Sequence, residues 1–140
     1  MAGLQSEMAV AQTSTSVRNR LRWGRVIGLA FALEAALFVT LLPLQQVLSL
    51  NVWLVAVAVG CILFSYIAGR LAARGLASGA ALNGLLVGVI ATVIYIVVCM
   101  AGPGGLSAAV TFYGTPLFVL LNVLRIVGCT VGAVHGKART

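Results

Sequence analysis

The stretch Val26–Leu44, VIGLAFALEAALFVTLLPL, constrains this chain more than any other: nineteen residues with a single charge, Glu34. A run of that length crosses a hydrocarbon core of about 30 Å as a helix. Arg18, Arg20, Arg22 and Arg25 crowd its N-terminal end, while Gln45–Asn51 beyond its far end carries no charge. Three further apolar runs follow, so that membrane spans are expected at about 24–45, 52–70, 80–101 and 116–135. The expected fold class is all-α, an integral membrane four-helix bundle over residues 23–136. A disordered basic tail is expected at 1–22 and a short tail at 137–140.

Composition agrees with lipid as the solvent. The chain is 61% hydrophobic and 8% charged, where a soluble domain carries about 25% charge. A soluble globule of 140 residues keeps too much of its surface wet to bury that much apolar area. The formal net charge of +7 does not point to nucleic acid, because its placement forms no soluble basic face. Of the basic residues only Arg125 lies deep in an apolar run; the others sit at or beside span ends. Arg18, Arg20, Arg22 and Arg25 precede the first span, Arg70 and Arg74 follow the second, and Lys137 and Arg139 follow the fourth. The connections Gln45–Asn51 and Gly102–Thr115 have no Lys or Arg. Lys and Arg excess marks the cytoplasmic side, so both termini are expected there. The N-terminal Arg cluster imitates a signal peptide, but the apolar run is too long for a typical h-region and is followed by Leu-Pro-Leu-Gln-Gln with no convincing A-x-A cleavage site, so a retained first span is expected.

Small residues recur at four-residue spacing: Gly24 and Gly28, Gly84 and Gly88, then Gly128, Gly132 and Gly136. On a helix each set forms a smooth stripe. Lipid supplies no hydrophobic drive between helices, so close backbone approach along such stripes is a main source of packing energy. Within a bundle of four helices some stripe is expected to remain for a partner. Gly24-x3-Gly28 matches Gly84-x3-Gly88 at an offset of sixty residues, and Pro43 matches Pro103, Trp53 matches Tyr113 and Ala68-x3-Ala72 matches Gly128-x3-Gly132. The bundle can therefore be read as two tandem helical hairpins, a parallel repeat.

Glu34 and Arg125 are the charges inside the spans. Glu34 lies nine residues beyond Arg25 and Arg125 twelve before Lys137, about 14 and 18 Å along a helix from the same side. At comparable depth they can pair, and in a sequentially wound bundle the first and fourth spans are neighbours. An isolated charge at the bilayer centre costs at least about 2.5–3.5 kcal/mol, which an opposite charge offsets. Asn122, three residues before Arg125, shares its face and can add a hydrogen bond. Three roles remain open for Glu34: a bridge within the chain, a proton- or substrate-coupling site, and pairing with another subunit. Asn83, Thr92 and Tyr95 form a weaker polar set on the third span.

Catalytic and metal chemistry find little support. Cys61, Cys99 and Cys129 fall in different apolar runs, without Cys or His at ligand spacing, and His135 is the lone histidine. They read as polarisable packing residues. No nucleophile–base pair is visible, so neither an enzyme nor a metal or cofactor is expected.

The segments YIAGRLAARG, SGAALNGLLVGVIATVIYIVV and LLNVLRIVGCTVGAVHG resemble the YrzE-like small four-helix bacterial membrane proteins. In those, a Gly-Arg turn ends the second span, a Gly-rich third span follows, and a Gly-x3-Gly-x3-Gly run closes the chain. The resemblance covers the last two-thirds of the sequence and implies a bacterial inner-membrane location; that family has no established activity to carry over. The architecture is also similar to that of small multidrug transporters, which have a membrane Glu in the first span. This chain departs from them in its basic N-terminal tail, its charge asymmetry and its membrane Arg. The expected function is that of a non-enzymatic membrane protein acting by helix contact, with itself or as an accessory subunit of a membrane complex. The alternative is a small proton-coupled transporter or channel that uses Glu34 as an oligomer.

Overall fold

The computed structural model describes residues 21–76 and 78–137. The tail expected at 1–22 is thereby outside the described residues except for Leu21 and Arg22, as are Arg18, Arg20 and Arg139. The described chain is all-α: α1 (Trp23–Gln45), α2 (Leu50–Ala73), α3 (Ala80–Ala101), α4 (Gly105–Tyr113) and α5 (Thr115–Gly136). Four of these, α1, α2, α3 and α5, are long and apolar enough to cross a membrane.

Local chemistry explains the boundaries. Pro43 sits in the last turn of α1, where losing one N–H and one ladder bond does least harm. α2 continues past the apolar run through Arg70 to Ala73, because Arg, Leu and Ala are good helix formers and a charge limits burial rather than helicity. Pro116 occupies the first turn of α5, where its missing donor is one the helix cannot use. The connection Gly102–Thr115, a loop by its sequence, contains the short α4. Gly104 (φ 81°) and Gly114 (φ 76°) bracket it, and that left-handed backbone is favourable only for glycine.

The packing order differs from a sequentially wound bundle. α2 packs against α1, α3 and α5, and α3 does the same from the other side, but no Cα of α1 comes within 8 Å of one in α5. The cross-section is a rhombus, with α2 and α3 on the short diagonal and α1 and α5 at opposite corners. The two hairpins consequently do not pack as equivalent halves: α2 touches α3, but the corresponding contact of α5 with α1 is missing.

Glycine placement accounts for this order. A Cβ on Gly69 would collide with the Cys129 carbonyl, and one on Gly132 with the Tyr66 carbonyl. Gly128 lies against Ser65, and a Cβ on Gly136 would stand 2.6 Å from the Arg70 carbonyl. From the pair Ser65–Gly128 to the pair Arg70–Gly136 both numbers rise, so α2 and α5 run parallel with their backbones in contact. On α3, Gly84 lies against Ala133 and Cys129 and Gly88 against Ile126, which brings α3 onto α5 as well. α1 instead packs with larger side chains, Val26, Leu33, Leu37 and Leu41, all buried. Gly24 and Gly28, expected to share in the packing, do not: a Cβ on either would meet nothing within 4 Å.

These contacts make a prediction. Gly132→Ala places a methyl against backbone that cannot move aside, and should cost about 1–3 kcal/mol as other overpacked sites do. Gly24→Ala should be neutral. Melting of the purified protein in mild detergent measures both, and a Gly132→Ala protein with the wild-type midpoint would refute the backbone contact.

Candidate functional site

α1 brings Glu34 to the bundle interior because it shares a face with the buried residues Ala30, Leu33, Leu37 and Leu41. α5 brings Arg125 inward between Leu121 and Cys129, one turn away on either side. Both are almost fully buried, with 3% of Glu34 and 5% of Arg125 exposed. Arg125 Nε lies 3.1 Å from Glu34 Oε1. The depth argument from sequence thus brings the right residues together, although α1 and α5 do not pack. The long guanidinium side chain reaches across the waist of the rhombus to meet the carboxylate.

The contact is an ion pair rather than a well-aligned hydrogen bond, for neither carboxylate oxygen of Glu34 nor Arg125 Nε has a hydrogen-bond partner. Arg125 has two further partners. Its Nη1 donates to Asn122 Oδ1 at 3.1 Å, as the i, i+3 spacing anticipated, while Asn122 Nδ2 donates to the Phe118 carbonyl. Its Cζ stands 4.0 Å from the centroid of the Tyr95 ring, a cation–π arrangement that desolvation strengthens. Tyr95, in sequence a member of the polar set with Asn83 and Thr92, is attached by the structure to Arg125. Nothing in the sequence of α3 alone could reveal that attachment, which depends on how α3 lies against α5. Arg125 therefore ties together α1, α3 and α5.

A cavity of about 60 Å³ adjoins the pair, lined among others by Cys61, Trp53, Tyr95 and Tyr113. It is closed on one side by an aromatic cluster. Trp53 stacks on Tyr113 at 6.0 Å and meets Phe112 edge-on at 5.7 Å, and its indole N–H donates to the Leu41 carbonyl at 2.9 Å. Phe112 and Tyr113 belong to α4, so the helix missed in sequence is what carries the cap over the cavity. Burial pushes the Tyr113 phenol above the usual tyrosine range, which keeps it neutral beside the cavity.

The cationic residues collect at the other end of the bundle. Arg25 Nη1 donates to the Arg74 carbonyl at 2.7 Å. The Arg22 backbone N–H donates to Asn83 Oδ1 at 3.3 Å, and Asn83 Nδ2 to the Gly79 carbonyl, so the buried Asn83 anchors the start of α1 on the start of α3. Arg70, Arg74 and Lys137 are exposed at that same end. Cys61 and Cys129 are buried and Cys99 half-buried, all as free thiols.

Fold and site together define an all-helical bundle with four helices long and apolar enough to cross a membrane, compatible with a multi-pass membrane protein. No family model matches the chain, and no curated protein or solved structure is significantly similar to it.

If the pair holds the bundle, Glu34→Leu and Arg125→Leu should each destabilise it. The scale is the about 3–5 kcal/mol of a broken buried pair, reduced by whatever snorkelling and water defects relieve. The double replacement should recover much of the loss, because two leucines suit an apolar interior. Unfolding in detergent micelles measures the coupling. A double variant as unstable as the sum of the singles would show that the residues do not interact.

Proposed function

We propose that this chain is an integral membrane protein of the structural or interaction type, which acts by presenting a helix face to a second copy or to another membrane subunit, and not an enzyme. The observation that carries this reading is the outer face of α1. Gly24 and Gly28 have the same spacing as the glycines of the other seams, yet no part of the described chain covers them. They are flanked by exposed Trp23, Ile27 and Phe31, and α1 occupies an outer corner of the rhombus. Small residues framed by bulky apolar ones allow a second helix to approach closely, which is what association within lipid requires.

The ion pair supports the same reading over a proton-coupled transporter. Arg125 at 3.1 Å neutralises the carboxylate that such a transporter would have to load and unload. Residence in a bacterial inner membrane with both ends of the chain cytoplasmic belongs to the proposal. It is supported by the resemblance noted above and by the collection of Arg25, Arg70, Arg74 and Lys137 at one end of the bundle.

The test is an interface substitution that spares the fold. Gly28→Leu fills only open space, so the variant should melt as the wild type does. Its assembly, measured by mass in mild detergent and by cross-linking in membranes, should fall to a single chain. Wild-type protein that is monomeric at every detergent ratio, or a Gly28→Leu protein that assembles normally, would overturn the proposal.

A further inference from the structure

Two recesses on the surface of the α2–α5 seam are joined end to end. At the basic end lies an open cleft of about 680 Å³, lined by Arg70 of α2 and Arg74 just past its end, and by His135 at the end of α5 and Lys137 just past it. Next to it, along the same seam, runs a groove of about 510 Å³ with walls of Val59, Ile62 and Leu63 on one side and Val127 and Val131 on the other. Tyr66 lines both, and its hydroxyl shares a hydrogen bond with His135 Nδ1 at 3.3 Å. Residues 59, 62, 63, 66, 70 and 74 follow helical spacing, so they form one continuous stripe that is apolar first and cationic at its end.

Among the described residues the cations of the cleft have no acidic side chain as counter-charge. The sequence contains two acids, Glu7 and Glu34; Glu34 is paired with Arg125 in the interior, and Glu7 lies outside the described residues. The C-termini of α2 and α5 each bring about half a negative charge to this end, against the full positive charges of Arg70, Arg74 and Lys137. Arg25 already serves the Arg74 carbonyl, which relieves part of that helix-end demand. The excess is positive and stands at the ends of two helices long enough to cross a membrane. The dimensions agree with one leaflet. From Val59 to Arg70 the rise is about 16 Å, half of a hydrocarbon core of about 30 Å.

We propose that this seam binds one anionic phospholipid. Its phosphate is held among Arg70, Arg74 and Lys137, the Tyr66–His135 pair stands at the level of the glycerol backbone, and one acyl chain lies in the groove between α2 and α5. Basic recesses between membrane helices are suited to anionic headgroups. Here the apolar groove selects a lipid over a free anion, and the unbalanced cations select an anionic lipid over a zwitterionic one.

The test uses the full chain, purified in mild detergent and stripped of lipid. It is then offered equal amounts of phosphatidylglycerol and phosphatidylcholine with identical chains, and the retained lipid is weighed by native mass spectrometry. One phosphatidylglycerol should be retained in preference. Arg70→Gln and Arg74→Gln should each reduce that preference by about fivefold, the value of one cation at a membrane surface. Leu63→Trp, which keeps every cation but obstructs the groove, should reduce retention of the lipid while circular dichroism remains that of the wild type. Should the Arg variants fail to fold, the wild-type preference must instead decline as salt is added. Equal retention of the two lipids, a preference indifferent to both the cations and salt, or stabilisation by inorganic phosphate equal to that by phosphatidylglycerol would each overturn the proposal.

Discussion

A carboxylate and a guanidinium both set near the middle of a membrane-crossing bundle impose a demand that hydrophobic packing cannot meet. Each alone costs at least about 2.5–3.5 kcal/mol at the bilayer centre, a sizeable part of the stability of a small domain. The structure meets the demand by bringing Glu34 to Arg125 at 3.1 Å and by surrounding the guanidinium with Asn122 and the face of Tyr95. The consequence is architectural. α1 and α5 stand at opposite corners, and the pair links them. Arg suits that task because its stem is long and apolar while its head is weakly hydrated and planar, able to stack and to pair at once. A lysine would bring the charge without the stacking.

Around this polar bridge the remaining cohesion is steric. Gly69, Gly132 and Gly136 bring the backbones of α2 and α5 together, and Gly84 and Gly88 do the same for α3 and α5. In lipid such close approach supplies the dispersion energy that water exclusion would supply elsewhere. α1 makes no comparable approach. It is held by Leu33, Leu37 and Leu41, by the ion pair and by the end contacts of Trp53 with Leu41 and of Arg22 with Asn83. A helix so placed retains one unoccupied small-residue face, and the proposed association uses that face. The proposed lipid seam lies elsewhere, along α2 and α5, so the two proposed surfaces do not compete.

Much of this was legible in the sequence because two signals survive without tertiary information. Long apolar runs give the spans, since a bilayer fixes their length. Rise per residue gives depth, which sufficed to match Glu34 with Arg125 and Asn122. Neighbour order was not legible. In helices that are apolar on every face, hydropathy has no period to mark an inner side, so a sequential winding looked as good as the rhombus. For the same reason Gly24-x3-Gly28 and Gly84-x3-Gly88 look alike in sequence, although the first is open and the second is pressed against Ile126 and Ala133. Gly69, flanked by Ala68 and Arg70, belongs to no glycine stripe that the sequence displays. α4, only nine residues long, was hidden between glycines that read as a loop. Arg70 and Arg74 were read for topology alone, because their shared recess with Tyr66 and Lys137 exists only once α2 and α5 are parallel.

The bundle depends on the contact between Glu34 and Arg125 inside a single chain. The most direct measurement of that contact is magic-angle-spinning NMR of the protein in bilayers, with ¹⁵N at the Arg125 side chain and ¹³C at the Glu34 carboxyl, diluted into unlabelled chains to suppress contacts between copies. A strong dipolar coupling, as required by the 3.1 Å separation of Nε and Oε1, is the predicted result. No coupling in the diluted sample would contradict it, and a coupling that appears only when the two labels are carried on different chains would assign the pair to an interface between subunits instead.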